Sequence, residues 1–131
     1  MRLLILGASG LIGHKLLLKL SIDFDVYGIL HKSKENYGSI KLFAGQKIID
    51  KVDVSDFGSI CGILEVINPD VILNCVGITL RKDEINDPFK AIKINALFPH
   101  QLANWAKANN KRVIHFSTDC VFNGSTGNYT E

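Results

Sequence analysis

The residues best suited to chemistry gather where the first apolar run ends. Gly7, Gly10 and Gly13 recur at every third position of GASGLIG, with Ser9 between them. That pattern suits an anionic diphosphate. The first glycine lets the chain turn sharply, the second lets backbone amides come close to phosphates, and the third lets the next helix pack tightly. The spacing is GxxGxxG and not GxGxxG, and a purely structural glycine turn would also produce it. Its surroundings favour the ligand. A wholly apolar stretch, residues 3–6, comes before, and Leu11, Ile12, Leu16, Leu17 and Leu20 follow at helical spacing. The helix start offers N–H groups and a partial positive charge, and Ser9 adds a hydroxyl donor.

Three further groups stand out, two of them at the ends of later apolar runs and one inside a helical pattern. His31, Lys32, Ser33 and Lys34 follow a run over residues 24–30. In a dinucleotide-binding arrangement this end of the second strand faces the adenosine ribose. A carboxylate there holds the 2′-hydroxyl of NAD, whereas basic residues accommodate the 2′-phosphate of NADP. Asp23 and Asp25 lie at the start of that run and not at its end. NADP is therefore favoured, with NAD or dual use as the alternative and a solvated basic loop as the plain one. Asn74, Cys75, Val76 and Gly77 close a run over residues 71–76, and small residues there let a flat ligand pass. Pro99 lies inside a helical pattern over residues 89–108, which leaves the carbonyl of Asn95 without its usual partner. Such a carbonyl wants water or a ligand, unless the helix simply kinks at a solvated face.

These groups need strands and helices in alternation. The pattern gives strands at 3–6, 24–30, 46–52, 71–76 and 112–116. A helix with Phe57, Ile60, Cys61, Leu64 and Ile67 on its apolar side is capped by Ser55 or Asp56, and Gly58 and Gly62 would let it approach the sheet. The long helix over 89–108 carries Ile94, Leu97, Phe98, Leu102 and Trp105 as its buried stripe, after a polar loop at 82–88. Apolar strands alternating with helices predict an α/β fold with a doubly wound parallel sheet. A strand order of 3-2-1-4-5 would put the ends of strands one and four at the ligand crevice.

Bulk composition agrees with one domain. The chain has 131 residues, 47% of them hydrophobic and 21% charged, which is ordinary for a globular core. A net charge of +2 gives no case for nucleic acid or an acidic membrane surface. No apolar run approaches a membrane span, and no signal peptide is recognisable. Cys61, Cys75 and Cys120 are odd in number and lack CxxC spacing, so neither a disulfide framework nor a zinc or other metal site is expected and a cytoplasmic setting fits.

GASGLIG, Asp53-Val54, NCVGIT, Asn95 in a proline-containing helix, and STDCVFNG followed by GNYTE together resemble the extended short-chain dehydrogenase/reductases. Within them the Ser-Thr-Asp-x-Val-Phe-x-Gly segment points to the branch that reduces nucleotide-linked 4-keto sugars with NAD(P)H. The resemblance implies a Rossmann-type sheet, truncated after the fifth strand. It implies that Gly7, Ser9, Gly10, Leu11, Ile12 and Gly13 hold the pyrophosphate, and that Asp53 and Val54 border the adenine, Asp53 accepting from its amine. Cys75, Val76 and Gly77 would lie beside the nicotinamide ribose with Thr79 near the cofactor. Thr118 would hydrogen-bond the reacting oxygen, Ser117 would neighbour it or the cofactor, and Val121 and Phe122 would border substrate. Asn95 would serve a water-mediated proton relay.

One departure limits what the chain is expected to do. The family's reaction needs a tyrosine acid with a lysine four residues on, some two dozen residues after Thr118. The Tyr37–Lys41 pair lies between strands two and three, the wrong part of the fold. The 131 residues therefore read as the NAD(P)-binding N-terminal part of a longer reductase, lacking its substrate domain and inactive alone. A sheet cut off in this way exposes an apolar edge open to self-association, a homodimer being its simplest form. The alternatives are a nucleotide-sugar epimerase or dehydratase, or a non-catalytic regulatory subunit that keeps the same fold.

Overall fold

The computed structural model describes residues 1–38, 40–45, 47–79 and 87–117. Five parallel strands form one sheet in the order β3-β2-β1-β4-β5. They are β1 (Arg2–Leu6), β2 (Asp25–Ile29), β3 (Ile48–Ile49), β4 (Val71–Asn74) and β5 (Arg112–His115). Helix α1 (Leu11–Leu20) follows β1, and α2 (Phe57–Ile67) follows β3. Between β4 and β5 run α3 (Pro88–Ile92), a π turn (Lys93–Leu97) and α4 (Phe98–Ala108).

The sheet is covered on both faces, as its apolar strands require. Alternate residues of β1 serve the two sides: Leu3 and Ile5 pack with Leu17 of α1, while Leu4 and Leu6 pack with Ile60 and Leu64 of α2 and with Phe98 and Leu102 of α4. Burial of a leucine of this kind contributes about 1.5–3 kcal/mol. At the foot of the sheet, away from the strand ends that carry the glycines, Asp25 pairs with Arg2 at 2.9 Å and Lys47 at 2.7 Å. Lys47 and Arg2 together hold the Asp25 carboxyl below the usual carboxylate range.

Local chemistry explains where the elements start and stop. Asp56 caps α2 by accepting from the Gly58 and Ser59 amides, and left-handed Asn68 ends it. Asp87 caps α3 in the same way, with Pro88 in its first turn. β3 is far shorter than the expected 46–52. Lys51 takes a left-handed φ of 59°, which bends the chain out of the ladder before Val52 rejoins it through the Leu30 carbonyl. The expected kink at Pro99 is instead a π turn. Phe98 N–H reaches the Lys93 carbonyl, five residues back, and Pro99 then falls in the first turn of α4, where its missing N–H costs little.

Three expectations about faces do not hold. Leu11 and Ile12 are 83% and 45% exposed, because Gly13 and not a leucine faces the sheet at the start of α1. Leu97 is exposed, since the π turn rotates it off the stripe. Gly62 meets nothing within 4 Å and Gly58 only the Asp56 side chain, so neither brings α2 closer to the sheet. Ile114 of β5 is 50% exposed.

Gly13 and Gly62 give opposite predictions from the same substitution. A Cβ on Gly13 would stand 2.2 Å from the Gly7 carbonyl oxygen, so Gly13→Ala forces backbone apart and should cost about 1–3 kcal/mol. Gly62→Ala adds helix propensity in open space and should stabilise by about 1 kcal/mol. Urea unfolding of both variants checks the pair, and equal shifts of one sign would refute this account of the turn.

Candidate cofactor cleft

A cleft of about 520 Å³ opens at the C-terminal ends of the strands, where the connections from β1 and β4 leave on opposite sides of the sheet. In an open parallel sheet that is the position where ligands bind. Its floor is the β1–α1 turn. Gly7 holds a φ of +76°, a conformation that favours glycine, and the Gly10 amide donates to the Gly7 carbonyl at 3.0 Å. Gly10 is the extended N-cap of α1 with no side-chain cap, so the first-turn amides remain for another acceptor. A Cβ on Gly10 would touch nothing but the Gly7 carbonyl, at 3.3 Å, and otherwise project into open space. This is a cradle that fits a diphosphate.

The walls come from separate parts of the chain. Gly7, Ser9, Gly10, His31, Lys32, Asp53, Val54, Cys75, Val76 and Gly77 all line the cleft, as the sequence reading expects. Leu11, Ile12 and Gly13, the first residues of α1, are not among the lining residues. Ser33 and Thr79 are not among the lining residues. Ser117 lies two residues beyond β5, is exposed and is not among the lining residues. Thr118, Val121 and Phe122 lie outside the described residues, as do Cys120 and most of the expected loop at 82–88.

Each wall is braced. The His31 ring nitrogen Nδ1 lies 3.3 Å from the Val52 carbonyl oxygen. The Lys34 amide donates to Asp50 at 2.8 Å, which pins a short 3-10 turn (Lys34–Tyr37). That contact draws the Asp50 carboxyl below the usual range, and it leaves Asp50 outside the cleft. Lys34 itself points to the Gly45 carbonyl, so His31 and Lys32 are the members of the basic group that face the ligand space. Tyr37, which lines the same end, stacks at a tilt on Phe43, with ring centres 5.1 Å apart. It thus stands in the same cleft wall as His31 and Lys32. Asp53 accepts from the Ser55 amide at 2.9 Å, and the Ser55 N–H and hydroxyl hold it ionised below its ordinary range. Burial pushes the Cys75 thiol up to about 11, so it presents a neutral S–H to the cleft.

Two amide side chains that carry no charge set the β4 end. Ile78 N–H donates to Asn95 Oδ1 at 2.8 Å, and Asn95 Nδ2 donates back to the Ile78 carbonyl at 2.9 Å. The Asn95 side chain, at the centre of the π turn, thus clamps the loop leaving β4, a structural task distinct from the relay expected of it. Asn74, fully buried, accepts from the Val76 amide and donates to His115 Nδ1 at 3.1 Å, tying β4 to β5. Sequence reading passed over this pair, and over Asn36, Lys90 and Ile94 in the lining. Lys90 stands one turn before Ile94 on the same helix face, a lysine on an apolar stripe, which is a signal that could have found it.

A family model described as the RmlD substrate binding domain matches residues 1–131. A dTDP-4-dehydrorhamnose reductase of Aggregatibacter actinomycetemcomitans is 28% identical over 131 residues, which are 99% of this chain and 39% of that enzyme. The chain thus spans about two fifths of that relative's length. A hypothetical dTDP-4-dehydrorhamnose reductase from Sulfolobus tokodaii superposes with a TM-score of 0.76 at 34% identity, over 100% of this chain and 44% of that one. The dTDP-4-dehydrorhamnose reductase of Bacillus anthracis, solved in complex with NADP, superposes at 0.70 with 22% identity, over 96% of this chain and 39% of that one.

Asn95→Asp tests the clamp. The introduced carboxylate still accepts from the Ile78 amide but sets an oxygen against its carbonyl, which should cost about 1–3 kcal/mol at neutral pH. Protonation restores a donor and raises the folded-state pKa of that carboxyl, so the lost stability should return below about pH 4 and disappear as pH rises. Thermal unfolding across this range, with amide exchange at Ile78, reads both effects. A pH-independent difference from the parent chain would refute the clamp.

Proposed function

The chain belongs to the RmlD substrate binding domain family, and from that membership we propose that it forms the cofactor-holding part of an NAD(P)H-dependent reductase of nucleotide-linked 4-keto sugars. One observation carries the reading: a glycine-built cradle and an uncapped helix start open into a cleft whose far end holds His31 and Lys32. In this reading the amides of the β1–α1 turn and Ser9 bind the diphosphate. Asp53 and Val54 take the adenine, with the Asp53 carboxylate accepting from the exocyclic amine. Cys75, Val76 and Gly77 lie along the nicotinamide ribose, and Asn95 keeps their loop in position. His31 and Lys32 face the ribose 2′ position, which favours NADP over NAD.

In this reading a dinucleotide held by these residues would supply hydride chemistry towards C4 of the sugar. Thr118 orients the carbonyl by a hydrogen bond to its oxygen, with Val121 and Phe122 against the sugar and Ser117 beside the cofactor. That hydrogen bond is worth more as negative charge develops on the oxygen than in the ground state. Tyr37 lines the cleft together with His31 and Lys32 and is not assigned as the proton donor. The setting proposed is the cytoplasm, where nucleotide sugars and reduced dinucleotides are available.

Fluorescence titration with NADPH should show binding by the 131-residue chain, while NADPH oxidation with dTDP-4-keto-6-deoxy-mannose stays at background. Steady turnover by this chain would overturn the division of labour, and failure to bind either dinucleotide would overturn the cofactor assignment.

A further inference from the structure

The basic end of the cleft holds a histidine whose hydrogen bonding fixes which nitrogen a ligand meets. His31 Nδ1 lies 3.3 Å from the Val52 carbonyl oxygen. A carbonyl only accepts, so Nδ1 carries a proton and donates it. In the neutral ring the other nitrogen, Nε2, is then a lone pair. Both His31 and Val52 line the cleft, so Nε2 is the nitrogen left for a ligand.

A lone pair repels a phosphate oxygen, whereas an N–H attracts it and adds charge. Resting on the reading that the cleft holds a dinucleotide, we propose that His31 discriminates a ribose 2′-phosphate from a 2′-hydroxyl by taking up a proton at Nε2, so that preference for NADP over NAD rises as pH falls. No bond breaks in this step. One proton passes from solvent to Nε2, and the Val52 carbonyl keeps its hydrogen bond throughout.

The surrounding charges are compatible with a ring that changes state. Asp53, on the segment after β3, attracts the imidazolium, and that attraction contributes to holding Asp53 ionised. Lys32 on the same loop and Lys90 on α3 oppose it, and both line the cleft. Tyr37 contributes a phenol to that end. Asp50, flanked by Lys51, is engaged by the Lys34 amide, and Lys34 reaches away to the Gly45 carbonyl. Bound phosphate adds the missing anion.

The test is calorimetric titration of the full chain and of His31→Gln with NADP+ and with NAD+ between pH 6 and 8.5. The ratio of the two dissociation constants in the parent chain should shift towards NADP+ by about tenfold on acidification across this range. His31→Gln should lose that shift. The free ligand's phosphate titrates near pH 6, and because the same ligand is used with both proteins that contribution cancels in the comparison. At pH 7.5, buffers of different ionisation enthalpy should reveal up to about one proton taken up with NADP+ and none with NAD+. A thermal unfolding midpoint near the parent's shows that the variant is folded. If parent and variant give the same ratio at every pH, the His31 assignment is overturned while the cofactor reading stands. Absence of binding by both dinucleotides overturns both.

Discussion

The close approach of Gly13 to the Gly7 carbonyl is the constraint on which the rest of the structure depends. A side chain on Gly13 would collide with backbone at 2.2 Å, so α1 can sit on the end of β1 only because none is there. That contact aims the helix start at the mouth of the cleft. It also sets Leu17, one turn on, against Ile5 and Val26. The packing of the α1 face and the geometry of the candidate anion cradle are therefore one feature. A change that loosens the turn would be felt in stability and in binding together.

The cleft built above this turn separates its tasks by segment. Amides and glycine occupy the centre, cations stand at the end of β2, and small or neutral groups line the end of β4. Carboxylates are kept under control: Asp50 is drawn off to cap a turn, and Asp53 is held by Ser55. Diverting Asp50 matters for charge, because a second carboxylate facing the ligand space would oppose a phosphorylated ribose. The Asn95 clamp and the Asn74–His115 pair hold the far wall without adding charge. The fold alone would serve many reactions. What narrows this one is the side chains at the strand ends.

Much of this arrangement was legible in the sequence. Wholly apolar short runs separated by helical patterns lead to a parallel sheet covered on both sides, and the observed strand order is 3-2-1-4-5. A cap at Ser55 or Asp56 and eight of the ten lining residues at the strand ends follow from local signals, while Asp53 and Val54 come from the family resemblance. Faces were harder to read. Counting apolar residues through α1 puts Leu11 and Ile12 inward, yet the inward position of that turn belongs to a glycine, which hydrophobic periodicity cannot register. Gly62 lies two residues from Ile60, about 200° around the helix, and so points away from the sheet. The π turn adds a residue that no 3.6-residue pattern anticipates, and it both exposes Leu97 and delivers the Asn95 side chain to Ile78. Asn36, Tyr37, Lys90 and Ile94 reach the cleft from distant segments, and only the folded chain brings them together.

The central claim is that a diphosphate rests on the amides between β1 and α1. Backbone amide chemical shifts followed during titration with NADPH test it most directly. The account predicts that the largest changes fall at Ser9, Gly10, Leu11 and Ile12, with smaller ones at Asp53 and Val76. Unchanged amides at Ser9 to Ile12, with shifts centred elsewhere on the molecule, would contradict it.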